Sequence, residues 1–180
     1  MNKKRKKHII LVGMPGSGKS SLGLILSKLM SLPFIDTDYY ILTKEQMSIN
    51  DIFAEHGEAY FRKLEQQMLL EIVKNEPSII SAGGGMPCFY DNMNVMNRYA
   101  VTIYLKLAPE QLFKHLKNNK ERPLVKDETP EELMNYINTS LEQRKPYYEK
   151  ADIIMQAHGE TPTQFAVNLR KIIATKYPFI

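Results

Sequence analysis

The sequence predicts an α/β protein: a five-stranded parallel sheet flanked by helices on both faces, a three-layer sandwich. Three observations point there. Five short apolar runs alternate with segments of helical periodicity, and strands that alternate with helices need right-handed crossovers between parallel neighbours. The first run ends in Gly13-Met14-Pro15-Gly16-Ser17-Gly18-Lys19-Ser20, which fits G-x-x-x-x-G-K-[ST], and a helical pattern follows at once. The remaining polar and glycine-rich segments fall at or after the ends of the apolar runs, where open α/β sheets bind ligands.

The first strand is Ile9–Val12, and Leu22, Ile25, Leu26 and Leu29 give the helix behind the loop its apolar face. Strand, loop and helix together turn a text match into a phosphate site. Glycines let the backbone curl with its N–H groups inward, and the positive end of the new helix adds to them. Lys19 would then reach the β- and γ-phosphates of a nucleotide, and the Ser20 hydroxyl would ligate Mg²⁺. The alternative, a glycine-rich turn with a surface lysine, lacks a reason for both flanking elements.

Leu32–Asp38 reads as a short strand running into acids. If strand geometry persists, the Asp36 and Asp38 carboxylates point the same way. Two like charges on one side call for a cation or a polar ligand. A turn-and-capping pair is the bland alternative. Ser48 opens a helix with Ile49, Ile52 and Phe53 on one face, and Gly57 reads as its stop. A second helix follows from Glu58 to about Asn75, with Leu64, Met68 and Ile72 inward. Arg62 sits in its early turns, where the helix dipole disfavours a cation unless an anion or Glu65 offsets it.

Pro77–Ser81 is the next strand, ending in Ala82-Gly83-Gly84-Gly85. This run either allows close backbone approach to a ligand or is simply a flexible turn. Ala100–Leu107 is the fourth strand. Pro109 opens a helix carrying Leu112, Phe113 and Leu116. From Lys117 to Glu128 apolar periodicity vanishes, which predicts a long mobile loop, a lid bearing Arg122. Thr129-Pro130-Glu131-Glu132 is a capping box. In its helix Arg144 continues the face of Ile137 and Leu141, and Pro146 reads as the limit. Ala151–Ala157 is the fifth strand, and Thr161–Gln164 caps a last helix with Phe165, Leu169, Ile172 and Ile173 inward.

The chain has 180 residues and a net charge of +4. That charge misleads, because Lys3, Lys4, Arg5, Lys6 and Lys7 carry five of the 24 basic residues, leaving 19 against 20 acidic ones. The body is not a nucleic-acid surface by charge, and residues 1–7 read as a solvated, disordered tail. The apolar stretch after that tail is too short for a signal peptide, and no run could cross a bilayer. One cysteine, Cys88, fits a reducing cytoplasm as a plain thiol. There is no internal repeat and no linker, so residues 1–180 are expected to form one domain.

Taken together these residues resemble the shikimate kinases, small P-loop proteins of the nucleoside-monophosphate-kinase-like group. The likeness runs in order from Ile9 to about Leu169. It rests on GMPGSGKS, Asp36-Thr37-Asp38, Gly57-Glu58 with Phe61-Arg62 and Glu65, Gly83–Gly85, Arg122-Pro123-Leu124, and Arg144 before Tyr147 and Ala151-Asp152. The resemblance implies ATP-dependent phosphorylation of shikimate at its 3-hydroxyl, a step toward chorismate and the aromatic amino acids, by a cytoplasmic monomer. It implies that Gly13, Gly16, Ser17, Gly18, Lys19, Ser20, Ser21 and Arg122 bind ATP. Ser20 and Asp36 would serve Mg²⁺, while Lys19, Asp38 and Arg122 would be catalytic. Asp38, Arg62, Gly83, Gly84, Gly85 and Arg144 would bind shikimate within an acceptor region spanning about residues 33–62 and the later elements. Phe53 and Phe61 would wall the pocket, and Glu65 would hold Arg62.

The chemistry suits that acceptor, since two arginines can grip a carboxylate and an aspartate can take hydroxyl hydrogen bonds. A gluconate or nucleoside-monophosphate kinase is the nearest alternative. A neutral sugar acid has less use for both arginines and Asp38, and a nucleotide wants a larger acceptor domain. A non-catalytic nucleotide-binding module or GTP switch is a further alternative. Its only trace, Asn119-Lys120-Glu121-Arg122, has Arg where the guanine-reading motif needs Asp.

Overall fold

The structure is a computed structural model that describes residues 7–117, 129–156 and 159–178. Five strands, β1 (His8–Val12), β2 (Phe34–Asp36), β3 (Ile79–Ser81), β4 (Ala100–Lys106) and β5 (Ile153–Gln156), form one sheet. Its order is β2-β3-β1-β4-β5, and every pairing is parallel. The strand pattern of alternating faces divides the core in two. Ile10, Val12, Ile80 and Tyr104 face one apolar layer, whereas Ile9, Leu11, Ile79, Val101, Ile103 and Leu105 face the other. Against the second layer pack α1 (Lys19–Met30) and α7 (Pro162–Lys176), through Leu22, Leu26, Phe165, Leu169 and Ile173. The first layer is covered by α3 (Ile49–Ile72), α4 (Asn92–Tyr99), α5 (Pro109–Lys117) and α6 (Pro130–Tyr148). The expected sandwich is therefore present, with helices on both faces. Among the described residues no helix is long and apolar enough to cross a membrane.

The capping boxes at Thr129 and Thr161 are both formed. Two local expectations change. The alternation of Asp36 and Asp38 along a strand does not occur, because β2 ends at Asp36 and a helix, α2 (Thr37–Glu45), begins at once. Asp36 is its cap, accepting from the Asp38 and Tyr39 amides at 3.1 and 3.4 Å. Gly57 stops the first helical stretch as expected: its φ of 79° and ψ of 171° kink α3 there, and a second stretch runs to Ile72. Pro146 does not limit α6. The proline forfeits one backbone bond, but burial of Tyr148 beyond it holds the final turn against the core. A 3₁₀ turn at Met86–Cys88 and α4 fill the stretch before β4, with Met93 and Met96 of α4 buried.

This order puts β1 and β3 side by side at the centre. The glycine-rich loop leaves β1, the Gly83–Gly85 run leaves β3, and Asp36 ends β2, so all three meet at the carboxyl edge of the sheet.

Candidate active site

The loop after β1 takes positive φ at Gly13, Gly16 and Gly18, which L side chains rarely adopt. Lys19 is buried and donates from Nζ to the Gly13 and Met14 carbonyls, both at 2.9 Å. Among the described residues Ser17 Oγ is buried and has no hydrogen-bond partner. An orphaned hydroxyl beside a buried ammonium suits an anion, so the loop fits a phosphate chain. His115 closes on the loop from α5, its Nδ1–H donating to the Gly16 carbonyl at 2.8 Å. A Cβ on Gly16 would lie 3.0 Å from Leu116, so α5 also limits the loop's width.

Beside the loop stands a cluster of oxygens. Ser20 Oγ donates to Asp36 Oδ2 at 2.6 Å and lies 3.2 Å from Ser81 Oγ. The other carboxylate oxygen of Asp36 holds the start of α2. Among the described residues no group of three or more His, Cys, Asp and Glu side chains could hold a metal. One carboxylate with a hydroxyl instead fits Mg²⁺, which keeps waters and is completed by substrate phosphates.

The acceptor side is built around Gly83–Gly85. The run does turn, with the Met86 amide donating to the Gly83 carbonyl at 3.0 Å, but none of these three glycines has positive φ, so the turn itself does not require them. What they supply is space. A Cβ on Gly83 would lie 2.7 Å from Asp38 Oδ1 and 2.9 Å from Glu65 Oε1. On Gly84 it would lie 2.8 Å from Pro15 Cδ and 3.4 Å from Arg144 Nη1. On Gly85 it would lie 2.7 Å from Arg62 Nη1. The run thus brings Asp38, Arg62, Glu65, Arg144 and the phosphate loop into contact with one short length of backbone. The Gly83 amide is itself anchored, donating to the buried Thr37 Oγ1 at 2.8 Å.

Arg62 is held on several sides. Its Nη1 donates to Glu65 Oε2 at 2.7 Å, and Nε and Nη2 donate to Glu58 Oε1 at 3.0 and 2.8 Å. Its guanidinium lies 4.2 Å from the Phe89 ring centre, 5.2 Å from Phe61 and 5.8 Å from Phe53. Phe53 and Phe61 also pack on each other at 4.8 Å. Burial pushes the Glu65 carboxyl up to about 7, outweighing the attraction of Arg62, and the nearby Asp38 charge adds to the rise. Burial also lifts the Cys88 thiol to about 11, so it is a protonated free cysteine and not a nucleophile.

A cleft of about 930 Å³ joins the two sides. It runs from Gln111, His115, Gly159 and Phe165, over the loop residues 15–22, to Asp36, Asp38, Tyr39 and Gly84. Ser21 lies in its lining. Arg62 and Arg144 are not part of that lining; they lie against Gly85 and Gly84 of the glycine run. Arg122 lies outside the described residues, as does nearly all of the expected lid. Sequence reasoning named Thr37 and Glu58 only as motif residues without a task, and missed Ser81, Phe89, His115 and Tyr148. Phe89 gave no signal, because it belongs to no periodic element. Tyr148 did, since it extends the stripe Ile137, Leu141, Arg144 by one further turn, but reading Pro146 as a stop hid it.

A family model described as shikimate kinase matches residues 15–174. A shikimate kinase of Parabacteroides distasonis is 47% identical over 152 residues, covering 84% of this chain and 88% of the relative. The chain belongs to the shikimate kinase family. Its activity is accordingly ATP-dependent phosphoryl transfer to shikimate. The solved structures agree. The crystal structure of shikimate kinase from Bacteroides thetaiotaomicron superposes with a TM-score of 0.89 at 38% identity, covering 92% of this chain and 97% of that one. Shikimate kinase from Acinetobacter baumannii in complex with shikimate gives 0.86 at 26% identity, covering 97% and 96%. The gluconate, nucleotide-kinase and non-catalytic alternatives are set aside by these matches.

Proposed function

We propose that the carboxyl edge of the sheet aligns the shikimate 3-hydroxyl with the γ-phosphorus of ATP, and that the residues gathered there divide the work as follows. Gly13, Gly16, Ser17, Gly18, Lys19, Ser20 and Ser21 cradle the phosphates. Arg62 and Arg144 hold the shikimate carboxylate, with the Gly83–Gly85 backbone as the floor. Asp38 accepts the hydrogen bond of the reacting hydroxyl. As the acceptor oxygen bonds to phosphorus, the bond to the leaving ADP oxygen breaks and the hydroxyl proton passes to Asp38. Phosphoryl transfer is loose and depends mainly on alignment and charge neutralisation, so Asp38 orients first and deprotonates second. Lys19 neutralises charge on the moving group, and Arg122 is assigned the same task on the resemblance alone.

Ser20 and Asp36 would hold Mg²⁺. When bound, the ion supplies charge neutralisation on the phosphate oxygens. We further propose that the chain acts as a monomer in the cytoplasm.

One observation carries this reading. Three consecutive glycines each press on a different group of the assigned acceptor set, and the middle one also presses on the phosphate loop. Coupled ADP release with ATP, Mg²⁺ and shikimate tests it, against a control lacking shikimate and against Lys19→Ala. Turnover should need shikimate and vanish in the variant, with phosphorus NMR placing the phosphate on the 3-oxygen. Product phosphorylated at another hydroxyl, or a Lys19→Ala enzyme with normal turnover, would sink it.

A further inference from the structure

Tyr148 closes α6 with none of its side chain exposed. Its hydroxyl donates to the Gly84 carbonyl at 2.6 Å and lies 3.9 Å from the sulfur of Met14 in the phosphate loop. Arg144 stands one turn earlier on the same helix face, its Nη1 3.4 Å from where a Cβ on Gly84 would lie. The Tyr148 ring packs on Tyr104 of β4 at 5.1 Å. Gly84 in turn rests on Pro15, leaving no room for a methyl group. One phenol therefore touches the phosphate loop and the acceptor floor on which an acceptor arginine rests.

We propose that Tyr148 is a positioning residue for phosphoryl transfer, pinning the Gly84 floor, on which Arg144 rests, against Met14 and Pro15 so that donor and acceptor keep one fixed separation. The proposal rests on the assignment of Gly84 and Arg144 to the acceptor. Tyr148 touches no reacting atom and lines no part of the cleft. Its effect travels through the groups it holds. Because the hydroxyl is buried, water cannot replace its bond to Gly84, and the floor loses its fixed point when that bond goes. In-line transfer is sensitive to such slack, since a shift of about 1 Å can lower rates on the order of a hundredfold.

Tyr148→Phe tests this, because it removes the hydroxyl and keeps the ring on Tyr104. The expected result is a fall in kcat/KM for shikimate of about tenfold or more, with the KM for ATP within a factor of about two of the parent. Tyr104→Phe is the control, since it also strips a hydroxyl from a buried tyrosine in the same ring pair and keeps the ring that lies against Gly13 of the phosphate loop. It should leave both constants unchanged. Gly84→Ala perturbs the same joint from the other side and should also lower kcat/KM for shikimate, while its methyl, which meets Pro15 of the phosphate loop first, should weaken ATP binding in calorimetry as well. A Tyr148→Phe enzyme with normal shikimate kinetics overturns the proposal. So do equal losses in Tyr104→Phe, or a loss confined to the ATP constant, because either marks a merely structural role. Arg144→Lys checks the assignment beneath it. If that variant handles shikimate normally, the assignment falls and takes the proposal with it, whereas a defect there with a normal Tyr148→Phe overturns the proposal alone.

Discussion

Replacing Gly85 with alanine should separate binding from stability. The backbone at Gly85 is right-handed, φ −82° and ψ −24°, so alanine fits it without strain. By restricting the unfolded chain it should even add about 0.4–1 kcal/mol. The added methyl would nevertheless lie 2.7 Å from Arg62 Nη1 and 3.0 Å from both Cζ and Nη2. Ordinary contact needs about 3.5 Å, so the guanidinium must retreat by roughly 0.8 Å. It has little slack, with Glu58 and Glu65 bonded to three of its nitrogens and Phe89 across its face. A charged hydrogen bond to the substrate carboxylate, worth about 1.5–3 kcal/mol, is the contact at risk, equivalent to about a 10- to 150-fold rise in the KM for shikimate. Steady-state kinetics by coupled ADP release should show that rise with an unchanged KM for ATP. Thermal denaturation should show a melting temperature at or slightly above that of the parent. A shikimate KM within twofold of the parent would refute the reasoning, and so would a collapse of the melting temperature alongside activity.

Asp38→Asn should lower kcat by about 10²-fold or more while the shikimate KM moves far less, and near-normal turnover would remove both roles given to Asp38. The shikimate KM should rise as pH rises through about 7, because Glu65 loses its proton there and the site loses one unit of positive balance against an anionic acceptor. Glu65→Gln should flatten that profile, and an unchanged slope in the variant would rule Glu65 out. The same group has a stability signature. Its folded value of about 7 lies above the ordinary 4.5, so the folded state binds the extra proton and stability falls as pH rises through that window. The fall is on the order of 3 kcal/mol and should be absent from urea titrations of Glu65→Gln. Gly57→Ala meets no neighbour within 4 Å, yet its φ of 79° and ψ of 171° suit only glycine. It should therefore lower stability by about 1–3 kcal/mol, or about 2–12 °C in melting temperature, and an unchanged melting curve would show that α3 can straighten without cost.

The sheet, the phosphate loop and both capping boxes were legible because each is written in neighbouring residues. GMPGSGKS, TPEE and TPTQ each carry their chemistry within eight positions. The acceptor side was legible only as a set of unconnected candidates. Arg62 and Glu65 share a helix face, so their pairing could be read from spacing. Nothing local connects Glu65 to Asp38 or Phe89 to Arg62, because those contacts exist only once β2, β3 and α3 are assembled. The alternation rule failed at Asp36 and Asp38 for a related reason. It presumes a strand that continues, while the Asp36 side chain itself ends the strand by capping α2.

The glycines also show why a residue type can be legible while its purpose is not. At Gly57 the backbone angles demand glycine and the surrounding space is empty. At Gly83, Gly84 and Gly85 the angles permit alanine and the neighbours forbid it. The two cases look alike in a sequence but make opposite predictions, since the first substitution acts on the fold and the others act on the site. In the second case the neighbours are the groups assigned to the chemistry, and a single methyl would displace Asp38, Glu65, Pro15 or Arg62 and crowd Arg144. A run that could pass for slack in the chain is therefore specified by its neighbours. Its lack of side chains lets a carboxylate, two guanidinium groups and the phosphate loop converge on three consecutive residues.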